Sequence, residues 1–302
     1  MDGILPLWKP KGMTSHDCVF RIRKMLKMKK VGHTGTLDPD VDGVLPICLG
    51  RATRIAEYIT NAGKVYEGEV TIGFSTTTED AQGEIVATKA VEQEISITTI
   101  NNVLLEFTGE IEQTPPIYSA VKVNGKRLYE YARKGIEVER PTRKVNIYEL
   151  KLLDDKIRIK DGTLSFSFRV HCSKGTYIRT LAVMIGEKLG YPAHMSALTR
   201  VAASSFTASH CVTFEQLENI IAEDLPLEKV IKPLEEGLCN LPIWNMDVQL
   251  LEKVKNGAVL PTPQNWPEGQ VVMVYEGVAY AIYQSHLNKQ DLIKPVKVLL
   301  NL

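Results

Sequence analysis

Apolar and polar side chains alternate along residues 65–74. Tyr66, Gly68, Val70, Ile72 and Phe74 share one side; Glu67, Glu69 and Thr71 share the other. A period of two predicts a strand with one buried face, so Tyr66 points inward. The alternation recurs at 164–172, where Leu164, Phe166, Phe168, Val170 and Cys172 oppose Ser165, Ser167, Arg169 and His171. Further strand signals fall at 117–123 and 143–153. Helical spacing takes over at Cys18, Val19, Ile22, Met25 and Leu26, with Ser15 as N-cap and Asp17 in the first turn. Other helices are expected at 51–61, at 97–107, from Tyr177 through Ile185, and within the acidic stretch 214–236. From about 241 the texture shifts to short apolar pieces at 271–275, 279–283 and 296–300. The elements predict an α+β fold with a mixed, largely antiparallel sheet and flanking helices. Residues 1–240 form one domain, and residues 241–302 a small β-rich second one.

The run Gly32-His33-Thr34-Gly35-Thr36-Leu37-Asp38-Pro39 fits neither period. It sets one carboxylate in a loop rich in glycine and proline, ahead of the apolar run 44–49. Pro39 biases Asp38 away from helical geometry. A rigid corner suits a nucleophile or general base, and it equally suits an aspartate that caps a turn. Arg179 falls in the first turns of its helix, where a cation opposes the dipole. That placement hints at an anionic partner, for which Asp38 is the candidate.

The Asp38 loop closely resembles the signature of the TruB family of tRNA pseudouridine synthases. Lys9-Pro10-Lys11-Gly12-Met13-Thr14-Ser15 looks like that family's N-terminal motif. Lys64-Val65-Tyr66, Asp80-Ala81-Gln82-Gly83, Tyr118 to Lys122, Gly125 to Arg133 and Cys172 to Arg179 follow in family order. The resemblance implies a pseudouridine synthase fold with its active site in a cleft across the sheet, and a PUA-like RNA-binding domain at 241–302. It implies isomerisation of uridine at position 55 in the tRNA T loop, without cofactor. Asp38 would be catalytic, Arg179 its cationic partner, and Tyr66 the ring on which a flipped uracil stacks. Tyr177 and Leu198 would line the same pocket, His33 would help to order the disrupted loop, and Asp80 would orient Arg179. Lys9, Lys64, Lys126, Arg127 and Arg143 are candidates for phosphate contacts. A stand-alone, monomeric enzyme acting on the tRNA T arm is expected, with no guide RNA; the alternative is an RNA-binding chaperone of tRNA folding.

Net charge is zero over 302 residues, which alone argues against a nucleic-acid partner. The distribution argues for one. Residues 1–64 carry eleven Lys and Arg against six Asp and Glu, and residues 120–144 carry eight against three. Residues 79–112 carry one against eight. Such asymmetry allows a basic face to meet phosphates. Five scattered cysteines show no metal spacing, and Cys48 and Cys172 fall in apolar patterns as small core residues. Asp2, Pro6, Lys9 and Pro10 break any signal-peptide core, and no run approaches a membrane span, so a cytoplasmic location is expected.

Overall fold

The alternation at 164–172 becomes the strand Thr163–Cys172, with each of its five apolar residues buried and the side chains between them half exposed. It pairs antiparallel with Lys64–Ile72, which sets Tyr66 opposite Val170 and Gly68 opposite Phe168. These strands lie in a computed structural model that describes residues 1–300. The chain forms two units, Gly63–Ala202 and Met1–Ala62 with Ala203–Leu302. The architecture is α+β, with mixed sheets and flanking helices.

In the unit Gly63–Ala202 the strand order is Ala193–Ala203, Lys64–Ile72, Thr163–Cys172, Arg143–Lys160, Gly109–Gln113. The helix Ile97–Glu106 packs on Arg143–Lys160 and on the helix Ile178–Leu189, which also meets Lys64–Ile72. Three local expectations change. The first strand stops at Ile72, and Phe74 begins a separate short strand, Phe74–Thr76, paired with Ile85–Thr88. Of 117–123 only Lys122–Val123 is extended, in a hairpin with Lys126–Arg127. Asn124 and Gly125 both take positive φ at its tip, the requirement of a two-residue type I′ turn. The strand expected at 143–153 runs on to Lys160 through a register irregularity between Leu152 and Ile157.

The other unit pairs Gly3–Lys9 with Asp42–Leu49 antiparallel, Lys9 opposite Gly43, and adds Val31–His33 to Asp42–Leu49. The helix Ser15–Met25 buries Cys18, Val19 and Ile22 against these strands and the helix Phe214–Ala222. Its N-cap is Thr14 rather than Ser15. The Thr14 hydroxyl accepts from the Asp17 N–H, and the Asp17 carboxylate takes the Thr14 N–H at 2.9 Å. Ser15 is left inside the first turn, free for a longer-range task. The stretch 51–61 is a 3₁₀ turn, Gly50–Ile55, followed by a short α-helix, Ala56–Asn61.

Residues 243–298 carry a five-stranded sheet that includes the expected pieces 271–275 and 279–283, and 296–300 as far as Val298. Its strand Ile243–Asn245 runs parallel to Gln270–Tyr275, and the remaining pairs are antiparallel. One face encloses Met273, Ala281, Tyr283 and Ile293 with Val254 of the helix Val248–Lys255. The other face buries Val272, Val274, Ala279 and Ile282 in the same core as Ile4, Val44, Cys48, Ile55 and Ile59. The C-terminal sheet is thus packed into the unit that holds the Asp38 loop. Among the described residues, no helix is long and apolar enough to cross a membrane.

Candidate active site

Asp38 sits half buried in irregular backbone between Val31–His33 and Asp42–Leu49. Irregular backbone keeps a fixed shape only when its amides and carbonyls find partners. On the N-terminal side that partner is Ser15, 1% exposed, whose Oγ accepts from the Leu37 N–H at 2.9 Å and lies 3.4 Å from the Leu37 carbonyl. On the C-terminal side it is Lys9, which is fully buried. Its ammonium donates to the carbonyls of Val41 at 2.7 Å, Pro10 at 2.9 Å and Pro39 at 3.1 Å. The Gly12 N–H reaches the same Pro39 carbonyl at 2.9 Å, and the Val41 N–H closes a turn on the Asp38 carbonyl at 3.1 Å. His33 accepts the Gly35 N–H on Nδ1 at 3.3 Å, so a neutral ring carries its proton on Nε2. The motif 9–15 and the Asp38 loop are one hydrogen-bonded frame.

Tyr66, Leu198, Asp80, Tyr177 and Arg179 all belong to the unit Gly63–Ala202. Tyr66 is 8% exposed. Gly68 follows on the same face, and a methyl group there would stand 2.9 Å from the Ala197 carbonyl, Leu198 Cδ1 and Phe168 Cζ. Only glycine lets the Leu198 strand pass this close to the Tyr66 strand at position 68. Arg179 is 7% exposed, and its guanidinium donates to the carbonyls of Tyr118 at 2.9 Å and Thr78 at 3.1 Å. Asp80 lies 3.8 Å from it and is itself held by the Thr78 hydroxyl at 2.5 Å and the Gln82 N–H at 3.0 Å. Between them Glu79 adopts a positive φ and accepts the Thr180 hydroxyl at 2.7 Å. Burial raises the Glu79 pKa against the lowering by Thr180 and Arg179.

A family model for the TruB family pseudouridylate synthase N-terminal domain matches residues 23–178, and one for the tRNA pseudouridylate synthase B C-terminal domain matches 179–239. The chain belongs to the TruB family. Relatives named tRNA pseudouridine synthase B include one from Geobacillus thermodenitrificans, 57% identical over 99% of both chains. One from Listeria welshimeri is 54% identical over 99% of this chain and 98% of its own. Among solved structures, a Cbf5-Nop10-Gar1 complex contains a chain of 28% identity and TM-score 0.75, matched over 99% of this chain and 85% of that one. A second, an H/ACA RNP bound to a substrate RNA containing 2′-deoxyuridine, matches at 26% identity and TM-score 0.72, over the same shares. The fold is that of the pseudouridine synthases.

Within this TruB chain the five candidate phosphate cations separate into two groups. Lys126, Arg127 and Arg143 are exposed. Arg127 donates to the Tyr129 hydroxyl at 3.1 Å and lies over that ring. Lys9 and Lys64 do not fit the expectation, because both are buried. The Lys9 ammonium is taken by backbone carbonyls, and burial lowers its pKa. Burial, with Arg200 nearby, lowers that of Lys64 to about 8. Cys48 and Cys172 are core residues, their thiols pushed up by burial to about 12 and about 11. Sequence reasoning passed over Ser15 as a loop brace, Glu79 and Gln113. All act on backbone or side chains distant in the chain, and no local period marks them.

Proposed function

We propose that this chain isomerises uridine to pseudouridine at position 55 in the T loop of tRNA, with Asp38 as the essential carboxylate. The N1–C1′ glycosidic bond breaks, the base turns, and C5 joins C1′. The C5 proton leaves to solvent and N1 takes one up, so atoms balance without redox change. The carboxylate serves as a nucleophile on the sugar, as in retaining glycosidases, or as base and electrostatic partner. The observation that carries the reading is the frame around Asp38: buried Ser15 and Lys9 fix the backbone on either side of a half-buried aspartate. An aspartate that only caps a turn needs no such frame.

The other roles follow the resemblance. Tyr66 stacks the uracil flipped from its loop, with Tyr177 and Leu198 completing the base pocket. His33 helps to order the loop the base has left. Arg179, oriented by Asp80, takes the cationic role that the resemblance implies. Lys126, Arg127 and Arg143 meet phosphates, and the sheet within 241–302 serves as a PUA-like RNA-binding part. The enzyme works in the cytoplasm as a monomer on tRNA alone, without guide RNA. Supporting that choice, relatives named for tRNA are 52–60% identical, against 27–28% for chains from Cbf5 complexes.

The test is tritium release from a T stem-loop labelled at uridine C5, with Asp38→Asn alongside. Wild type should release the label from naked stem-loop, and the mutant should bind the RNA and release none. Turnover by Asp38→Asn would remove Asp38 from the chemistry. Tight binding by wild type without release would favour a chaperone or a guide-dependent enzyme.

A further inference from the structure

The helix Ile178–Leu189 starts without a cap of its own. Its N-cap residue is Tyr177, whose side chain makes no capping hydrogen bond. Ser, Thr, Asn and Asp lead at that position, because their side-chain oxygen accepts from first-turn amides. An outside group instead holds the backbone of the N-cap residue itself. The Gln113 carboxamide, at the end of the strand Gly109–Gln113, accepts from the Tyr177 N–H at 3.0 Å and donates to the Tyr177 carbonyl at 3.2 Å. Gln113 is 2% exposed.

The second of these bonds is informative. The Tyr177 carbonyl already accepts the Leu181 N–H at 3.0 Å, so it has a partner inside the helix. The Gln113 donor is therefore not there to satisfy an orphaned group. Together the two bonds fix the Tyr177 backbone on both sides of its Cα. That backbone bears the Tyr177 ring, and the Arg179 guanidinium stands two residues on, in buried contacts with the carbonyls of Thr78 and Tyr118.

We infer that Gln113 is a positioning residue for the isomerisation: its amide sets the Tyr177 backbone and thereby aims the Tyr177 ring and Arg179. The inference rests on the roles proposed above for those two residues. The N-cap position is occupied by a ring with a proposed role in the site, and its backbone is held by a side chain 64 residues earlier in the chain.

The test compares wild type, Gln113→Glu and Gln113→Met by single-turnover tritium release from the labelled stem-loop, between about pH 6 and about pH 8. Stem-loop affinity and thermal midpoint are measured in parallel. In Gln113→Glu an ionised carboxylate keeps the acceptor, loses the donor and faces the Tyr177 carbonyl oxygen. The rate near pH 8 should fall ~10- to 100-fold with affinity within about twofold. Burial and the facing carbonyl raise the pKa of that carboxyl, so its proton and the donor return as pH drops. The rate of Gln113→Glu should then climb toward wild type, while wild type shows no gain. Gln113→Met fills the space without either bond and should be slow at every pH.

Equal rates for wild type and Gln113→Glu near pH 8 overturn the inference. So does a deficit that follows the thermal midpoint and shows no recovery at low pH. If Gln113→Glu does not fold, Gln113→Met decides: a folded protein with the wild-type rate overturns the inference. If wild type itself releases no tritium, the proposed function fails instead. Amide exchange at Tyr177 then still tests the clamp, since Gln113→Met should accelerate it, and unchanged exchange sinks the assignment.

Discussion

Replacing Ser15 with alanine removes one hydroxyl from the frame around Asp38. That hydroxyl takes the Leu37 N–H at 2.9 Å, in a residue that is 1% exposed, so water cannot replace it. The orphaned amide costs about 1–3 kcal/mol. The 3.4 Å contact to the Leu37 carbonyl is at the limit of a hydrogen bond and adds little. Alanine's better helix propensity offsets up to about 0.5 kcal/mol. The net expectation is a loss of about 0.5–3 kcal/mol in unfolding free energy. Leu37 directly precedes Asp38, so relaxation of its peptide moves the carboxylate. A displacement of about 1 Å is worth about 100-fold in rate, and partial relaxation about tenfold. Urea unfolding measures the first quantity, and single-turnover tritium release the second. Thr14→Ala is the control: it removes the helix cap at a cost of about 0.5–2 kcal/mol without touching Leu37, and should keep the wild-type rate. If Ser15→Ala loses stability but not rate, Ser15 does not position Asp38. If it loses neither, the bond to Leu37 carries no weight.

Two further predictions concern buried and exposed cations. Lys64 is 7% exposed and titrates near 8 rather than 10.5, so the unfolded chain binds the extra proton between those values. Wild-type stability should rise with pH across that window and be lowest below it, an effect on the order of 3 kcal/mol that Lys64→Met should abolish. Parallel pH dependence of unfolding in both proteins would refute the depressed pKa. Charge reversal by Lys126→Glu with Arg127→Glu should weaken stem-loop binding. The slope of log affinity against log salt should shrink by about 0.7–0.9 for each phosphate the protein no longer neutralises. The rate at saturating RNA should hold, and an unchanged slope would remove both residues from the RNA interface.

The strand Thr163–Cys172 could be read directly, because one face is core and the other half exposed, and that contrast is written in every second residue. The strand Gly109–Gln113 could not. Its sequence offers one strongly apolar residue, Ile111, and it lies last in the strand order, where burial imposes little pattern. Ala193–Ala203 was missed because His194, Ser196, Thr199 and Arg200 interrupt Met195, Leu198 and Val201 without a period of two. At the first helix, Thr14 and Ser15 are both competent caps, and local sequence does not choose between them. The choice was made by Leu37, 22 residues on, which engages Ser15. Lys9 misled for the same reason: a lysine near a strand end reads as solvated until three carbonyls, two of them about 30 residues away in the chain, are brought to its ammonium.

Both units therefore use one device. Asp38 stands on irregular backbone, and Tyr177 and Arg179 at a helix start, where the regular ladders leave amides and carbonyls unpaired. Buried polar side chains from distant segments take those groups: Ser15 and Lys9 around Asp38, Gln113 at Tyr177. At Arg179 the direction reverses, and the guanidinium itself ties the carbonyls of Thr78 and Tyr118 together. A buried polar group without its partner costs more than the bond it makes is worth, so each frame is either complete or strongly destabilised. That asymmetry separates two kinds of variant. Loss of a frame residue should lower the rate of the chemical step with RNA affinity preserved. Loss of an exposed cation such as Lys126 should lower affinity with the step preserved. A frame variant that only weakened binding would show that the buried groups shape the RNA surface rather than the reacting geometry.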